Sequence, residues 1–247
     1  MGVKFEPIEG LTLAHFGLFW ATLRDEFGKS EEAIPLGTPA DIPMRAGGGP
    51  LPRLWLVHND EQFLIQLQPN IFYFNWRRRG EKQAYPSYDS IRPLFEKYLS
   101  SFFAFLEHEG LPTPSAFSCD LTYVNIIPTL AEKMEKIELG YLFPDFSWNS
   151  TEERALTHPK AVNWHSAFDL ADEAGDLTAK IQSATNKEDG SSVIKFEINA
   201  SGGTKLLSLS ETDTWFEIAH SAIVMAFADL TSSDAQRELW GRKNGAA

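Results

Sequence analysis

The chain has 247 residues, 43% of them hydrophobic and 13% aromatic, and a formal net charge of 22 − 34 = −12. That is enough apolar material for a real core, so a disordered chain is excluded. A field this negative repels nucleic acid and anionic lipid unless a local basic patch overrides it, and the single cysteine, Cys119, excludes an internal disulfide and a Cys-rich zinc site.

The opening MGVKFEPIEG has neither a basic nor an apolar leader pattern, and Glu6 stands where a myristoylation signal wants Ser or Thr. No apolar run approaches the ~20 residues that span a bilayer, so the expectation is a cytoplasmic protein with no membrane contact. Residues 3–9 predict a short strand that Pro7 ends early or confines to an edge. Phe16, Phe19, Trp20, Leu23 and Phe27 then recur at helical spacing, with Gly28 as the stop. Residues 29–52, rich in Pro and Gly, predict a long loop of the kind used as a surface excursion or a binding loop.

Three strands are expected next, Arg53–His58, Gln62–Gln68 and Ile71–Arg78, joined by the turns Asn59-Asp60 and Pro69-Asn70. The third places Phe72, Phe74 and Trp76 on one face and Ile71, Tyr73, Asn75 and Arg77 on the other. Ile91, Leu94, Phe95, Tyr98, Leu99, Phe102, Phe105 and Leu106 form the apolar face of the strongest helix. Ser87 or Asp89 caps it, Pro93 is expected in its first turn, and Gly110 and Pro112 end it.

The second half follows the same order. Phe117–Ile127 is a strand, 129–139 a short charged helix and 140–160 irregular. Val162–Leu170, Leu177–Thr185 and Val193–Ala200 are strands. A helix runs from about Thr212 to Leu230 behind a Ser210/Asp213 capping box, and a last one from a Thr231/Asp234 box to Trp240. The expected fold is α+β: a curved antiparallel sheet of about eight strands with its long helices on one face. It is read as a single domain, 1–247, of two similar halves, about 1–115 and 116–247, each β-α-β-β-β-α.

The run from Pro52 to Phe95, the later LTYVNIIP and the ending WFEIAHSAIVMAFADLTSSDAQRELWG resemble a sporadically distributed family of uncharacterised bacterial proteins. The marks of the resemblance are Gln66/Gln68, Asn75-Trp76-Arg77, Tyr85/Tyr88 and Tyr123-Val124-Asn125. It covers nearly the whole chain and implies no activity. Patchy distribution associates such genes with defence or toxin–antitoxin systems.

Polar groups set among apolar strand residues mark where a site is expected. Arg77 offers a guanidinium fork that suits carboxylate or phosphate. Gln66 and Gln68 converge with Asn75 from the neighbouring strand, either on a ligand or on each other, because buried amides demand partners. The expected function is binding rather than catalysis, of a partner protein or a small anionic ligand, at a mouth formed by Gln66, Gln68, Asn75, Trp76, Arg77, Tyr88 and Asn125. Arg77 would pair with the anion, the amides orient it, and Trp76 or Tyr88 stack on it.

Two alternatives stay open. Arg77, Arg78, Arg79 and Lys82 form a basic cluster that would serve a nucleic acid if Arg53 and Arg92 shared its surface, although the aromatic–glycine signature of RNA-recognition strands is absent. His220, on the apolar stripe of the last long helix, is the candidate acid–base of a novel enzyme, set against a core histidine bonded to backbone. No phosphate-binding Gly-rich loop, His-Glu-x-x-His or Gly-x-Ser-x-Gly element occurs. His158 and His165 are poorly spaced for a metal, and Glu152-Glu153 reads as a solvated pair. No cofactor or metal is expected.

Overall fold

The computed structural model describes residues 1–37, 49–80, 83, 85–128, 139–146, 155–156, 159–186, 189–206 and 208–241. Residues 38–48 of the expected loop, Lys82, the expected charged helix but for its last residue, Glu152-Glu153 and His158 lie outside them. The chain divides into two compact units, Met1–Asp120 with Gly203–Thr214, and Leu121–Gly202 with Trp215–Ala247.

The fold is α+β, with one antiparallel sheet of nine strands among the described residues. The strands are β1 (Gly2–Lys4), β2 (Lys29–Ala33), β3 (Arg53–Val57), β4 (Phe63–Gln68), β5 (Ile71–Trp76), β6 (Phe117–Pro128), β7 (Asn163–Asp169), β8 (Gly175–Thr185) and β9 (Ser192–Leu206). Their order across the sheet is β2-β3-β4-β5-β1-β6-β9-β8-β7. Five helices accompany them: α1 (Leu13–Leu23), α2 (Tyr88–His108), α3 (Leu139–Leu142), α4 (Leu209–Leu230) and α5 (Ser233–Glu238).

The ninth strand is β2, which the sequence predicts as loop. Its residues, KSEEA, carry no apolar alternation and are mostly exposed. Charge on an outer strand blocks further pairing, so the polar sequence suits a strand at the end of the order. Asn59 fixes its entry: its amide nitrogen donates to Asp25 O (2.7 Å), while Gly28 N–H donates to Asn59 Oδ1 (3.0 Å). At the other end of the expected β1, Pro7 does end the strand early, but β1 pairs on both sides, with β5 and β6, and is no edge.

In the first unit, α1 and α2 cover one face of the sheet. Phe72 packs on Phe95 and Phe102, Phe74 on Tyr98, and Phe19 bridges the helices through Phe102 and Phe105. Phe16, Phe19, Phe27, Phe72 and Phe102 are buried, and each such ring contributes roughly 1.5–3 kcal/mol relative to exposure. Trp20 stays half-buried because its indole N–H donates to Phe27 O (2.8 Å). Ser87 is the N-cap residue of α2, so Pro93 lies one turn deeper than expected and forgoes a helical hydrogen bond there.

In the second unit, Phe196 of β9 packs on Phe143 and Phe227, and Phe146 on Trp164. Along β8, Leu177, Ala179 and Ile181 are buried between Thr178, Lys180 and Gln182, which are not. This is the alternation of a sheet with one solvated face. On that face Lys180 and Lys195 pair with Glu197 (3.6 and 2.6 Å). Ser232, rather than Thr231, caps α5, accepting from Ala235 N–H (3.0 Å).

Candidate functional site

The face of the first unit's sheet turned away from α1 and α2 is unlike an ordinary solvated face. Val57, Leu64, Gln68 and Ile71 point to it and are buried. Leu36 is held against it by Gln68, whose Oε1 accepts from Leu36 N–H (2.6 Å) and whose Nε2 donates to Leu36 O (3.2 Å). Gln68 is 1% exposed and fully used by this clip.

Strand register draws one transverse row across this face: Glu31, Trp55, Gln66, Tyr73, Gly2 and Asp120, one residue from each of six neighbouring strands. Adjacent members stand one strand spacing apart, about 4.8 Å. The Tyr73 ring lies over Gly2, where an added Cβ would come 1.5 Å from Tyr73 Cδ1. Burial, reinforced by Asp120 and opposed by Arg53, pushes the Tyr73 phenol far above its ordinary range, so it stays protonated. Lys4 offsets Asp120 at 3.5 Å.

Arg53 stands two residues before Trp55 on the same face, its guanidinium 5.3 Å from the Trp55 ring centroid. Burial lowers the Arg53 pKa, and Tyr73 opposes that shift. Three polar atoms of this cluster, Arg53 Nε, Trp55 Nε1 and Gln66 Oε1, are buried with no hydrogen-bond partner. An unmade buried hydrogen bond costs on the order of 1–3 kcal/mol. The Gln66 amide is anchored on its other side, where Nε2 donates to Asn75 Oδ1 (2.7 Å). A shallow groove of about 550 Å³ lined by Glu32, Ala33, Ile34, Pro35, Pro50 and Pro52 opens beside Arg53: Ala33 is the register partner of Arg53, and Pro52 precedes it in the chain.

The structure brings only part of the expected mouth together. Gln66 and Asn75 meet on the open face. Gln68 shares that face but serves Leu36. Trp76 points to the helix-covered face, edge-on to Tyr85 at 5.1 Å, and Tyr88 is buried as the first residue of α2. Strand alternation thus separates Trp76 from Asn75. Arg77 turns to the 58–62 connection, where its Nε donates to Glu61 O (2.8 Å). Burial and the nearby Arg79 lower its pKa. Asn125 belongs to the stretch of β6 in the second unit.

The basic cluster is engaged in the same way. Arg79 Nε donates to Glu61 O (3.2 Å) and Arg78 Nε to Gly80 O (3.1 Å), and Lys29 pairs with the Glu61 carboxylate. Arg92 is buried and pairs with Asp213 and Glu96, so it presents nothing to a phosphate backbone. His220, on α4, meets the Tyr123 hydroxyl of β6 through Nδ1 at 2.9 Å. This contact joins the Tyr-Val-Asn element to the helix.

Sequence reasoning left Trp55 out altogether and named Arg53 only for the nucleic-acid alternative, not for the expected mouth. Their shared face was legible in the alternation of RLWLV. The position of Trp55 opposite Gln66 depends on a register that the irregular 58–62 connection sets, with Glu61 at a positive φ of 59°. Among the described residues no group of three His, Cys, Asp or Glu side chains is placed to hold a metal ion, and no helix is long and apolar enough to cross a membrane. Comparison of the chain with protein-family models, with curated proteins and with solved structures finds no match.

Proposed function

We propose that this protein binds a small anionic ligand on the open sheet face of the first unit, with Arg53 as the cation and Trp55 and Gln66 as its polar neighbours. The observation that supports the reading is that three polar atoms on neighbouring residues of one face, Arg53 Nε, Trp55 Nε1 and Gln66 Oε1, are buried without partners. Buried polar groups in folded proteins are overwhelmingly hydrogen-bonded. Exceptions gathered at one place on one face are what a ligand would satisfy. The net charge of −12 does not oppose this at close range, because physiological salt screens it beyond about 8 Å.

Two marks of the family resemblance, the Gln-x-Gln and Asn-Trp-Arg elements, meet here through the bond from Gln66 to Asn75. That gives the family pattern a physical sense as the floor of a binding face, with Arg53 taking the role first expected of Arg77.

The test is a titration of ¹⁵N-labelled protein with benzoate, following the indole N–H signal of Trp55, assigned with Trp55→Phe. Saturable movement of that signal, lost in Arg53→Met while the variant keeps its melting temperature, is the expected result. A Trp55 signal that benzoate leaves in place at tens of millimolar refutes the reading.

A further inference from the structure

The three unpartnered atoms differ in polarity, and this deepens the proposed function, on which it rests. Arg53 Nε and Trp55 Nε1 are donors only, whereas Gln66 Oε1 is an acceptor. The orientation of the Gln66 amide is set by Asn75, to whose Oδ1 its Nε2 donates at 2.7 Å. Gln66 therefore turns its oxygen, not its nitrogen, to the place left open. Trp55 and Gln66 are direct cross-strand partners, so the donors and the acceptor come from neighbouring strands on one face.

We infer that the site selects a ligand with a two-sided polar edge: a carboxylate that accepts from Arg53 and Trp55, and a hydroxyl or N–H that donates to Gln66 Oε1. Hydroxy acids and amide-bearing acids have this edge. A simple carboxylate satisfies only the donor half and leaves the Gln66 oxygen buried and unpaired. Sulfate has acceptors alone and would do the same. The converse arrangement, with both amides turned over, would present three donors and would select acceptor-only anions instead.

The experiment compares benzoate, 3-hydroxybenzoate and sulfate on the full chain, with Kd read from the Trp55 indole signal. The expected result is that 3-hydroxybenzoate binds about tenfold tighter than benzoate, the scale of one buried hydrogen bond made rather than left unmade. Gln66→Met should erase that ratio. If Gln66→Met fails to fold, the ratio in the unaltered protein still decides. Equal affinity for the two benzoates, or sulfate binding as tightly as 3-hydroxybenzoate, overturns the two-sided edge and leaves anion binding standing. If no probe moves the Trp55 signal, the proposed function falls with it.

Discussion

Alanine at position 2 tests the transverse row at its tightest point. A Cβ there would sit 1.5 Å from Cδ1, 2.0 Å from Cε1 and 2.8 Å from Cγ of Tyr73. Because Cγ is also too close, the clash cannot be relieved at the tip of the side chain, and the whole ring must leave its place. Tyr73 has little room to move, since its neighbours in the row are Gln66 on one side and Gly2 on the other. Overpacking of this kind costs about 1–3 kcal/mol. Taking about 2 kcal/mol, the thermal midpoint of a chain this long should fall by about 4–8 °C. The discriminating assay is a double-mutant cycle by urea denaturation. In a Tyr73→Ala background the ring is gone, and Gly2→Ala should then be neutral or slightly stabilising, because Ala suits a strand better than Gly. The coupling energy should be about 2 kcal/mol, within the range of residues in contact. If Gly2→Ala costs the same with and without the Tyr73 ring, the ring does not lie over Gly2 and the row is wrongly drawn.

Gly175→Ala should cost about 3 kcal/mol or more in urea, combining a left-handed backbone with overpacking, because φ is +131° and the new Cβ would meet Ser201 O at 2.3 Å and Gly202 Cα at 2.7 Å. Gly190→Ala, at φ +75° with open space around it, should cost only about 1 kcal/mol; equal losses would show that backbone approach plays no part. Gln68→Ala should remove both bonds to Leu36 and raise amide exchange at Leu36 at least about tenfold; unchanged exchange would mean the clip is redundant. Cys119 is buried, and burial pushes its thiol up to about 12. It should resist thiol reagents in the native state at pH 9. Above the ordinary thiol value of 9.0 the unfolded chain loses this proton while the folded one keeps it, so this group makes stability fall as pH rises from about 9 to 12. Rapid native labelling at pH 9 would contradict its burial.

The parts of this chain that were legible in advance are those where burial imposes a period. α2 was readable because its apolar positions recur at 3.6-residue spacing and bury Phe95, Tyr98, Leu99 and Phe102 against the sheet. β8 was readable because only one of its faces is covered. β2 was not, since an outer strand of charged residues leaves no apolar trace and its pairing with β3 rests on backbone bonds. The site was half legible for a related reason. Which residues share a strand face follows from alternation, and that alone already separates Trp76 from Asn75. Which residues oppose each other across strands follows from register. The connections carry that information: Asn59 and Glu61 place Trp55 opposite Gln66 through tertiary contacts and a positive φ, not through any local pattern.

The sheet face away from the helices is treated differently in the two units, and the proposed site draws on that difference. In the second unit that face holds Thr178, Lys180, Gln182, Lys195 and Glu197, whose charges pair with one another in solvent. None of these five side chains holds a buried polar atom without a partner. In the first unit the corresponding face buries Val57, Leu64 and Ile71, and Gln68 uses both ends of its amide to hold Leu36 over it. Closing a face in this way excludes water, so each polar group left inside must find a partner or remain unpaired at a cost. Asn75 and one end of Gln66 find each other; Arg53 Nε, Trp55 Nε1 and the other end of Gln66 do not. Those three atoms are the feature on which the proposed binding rests.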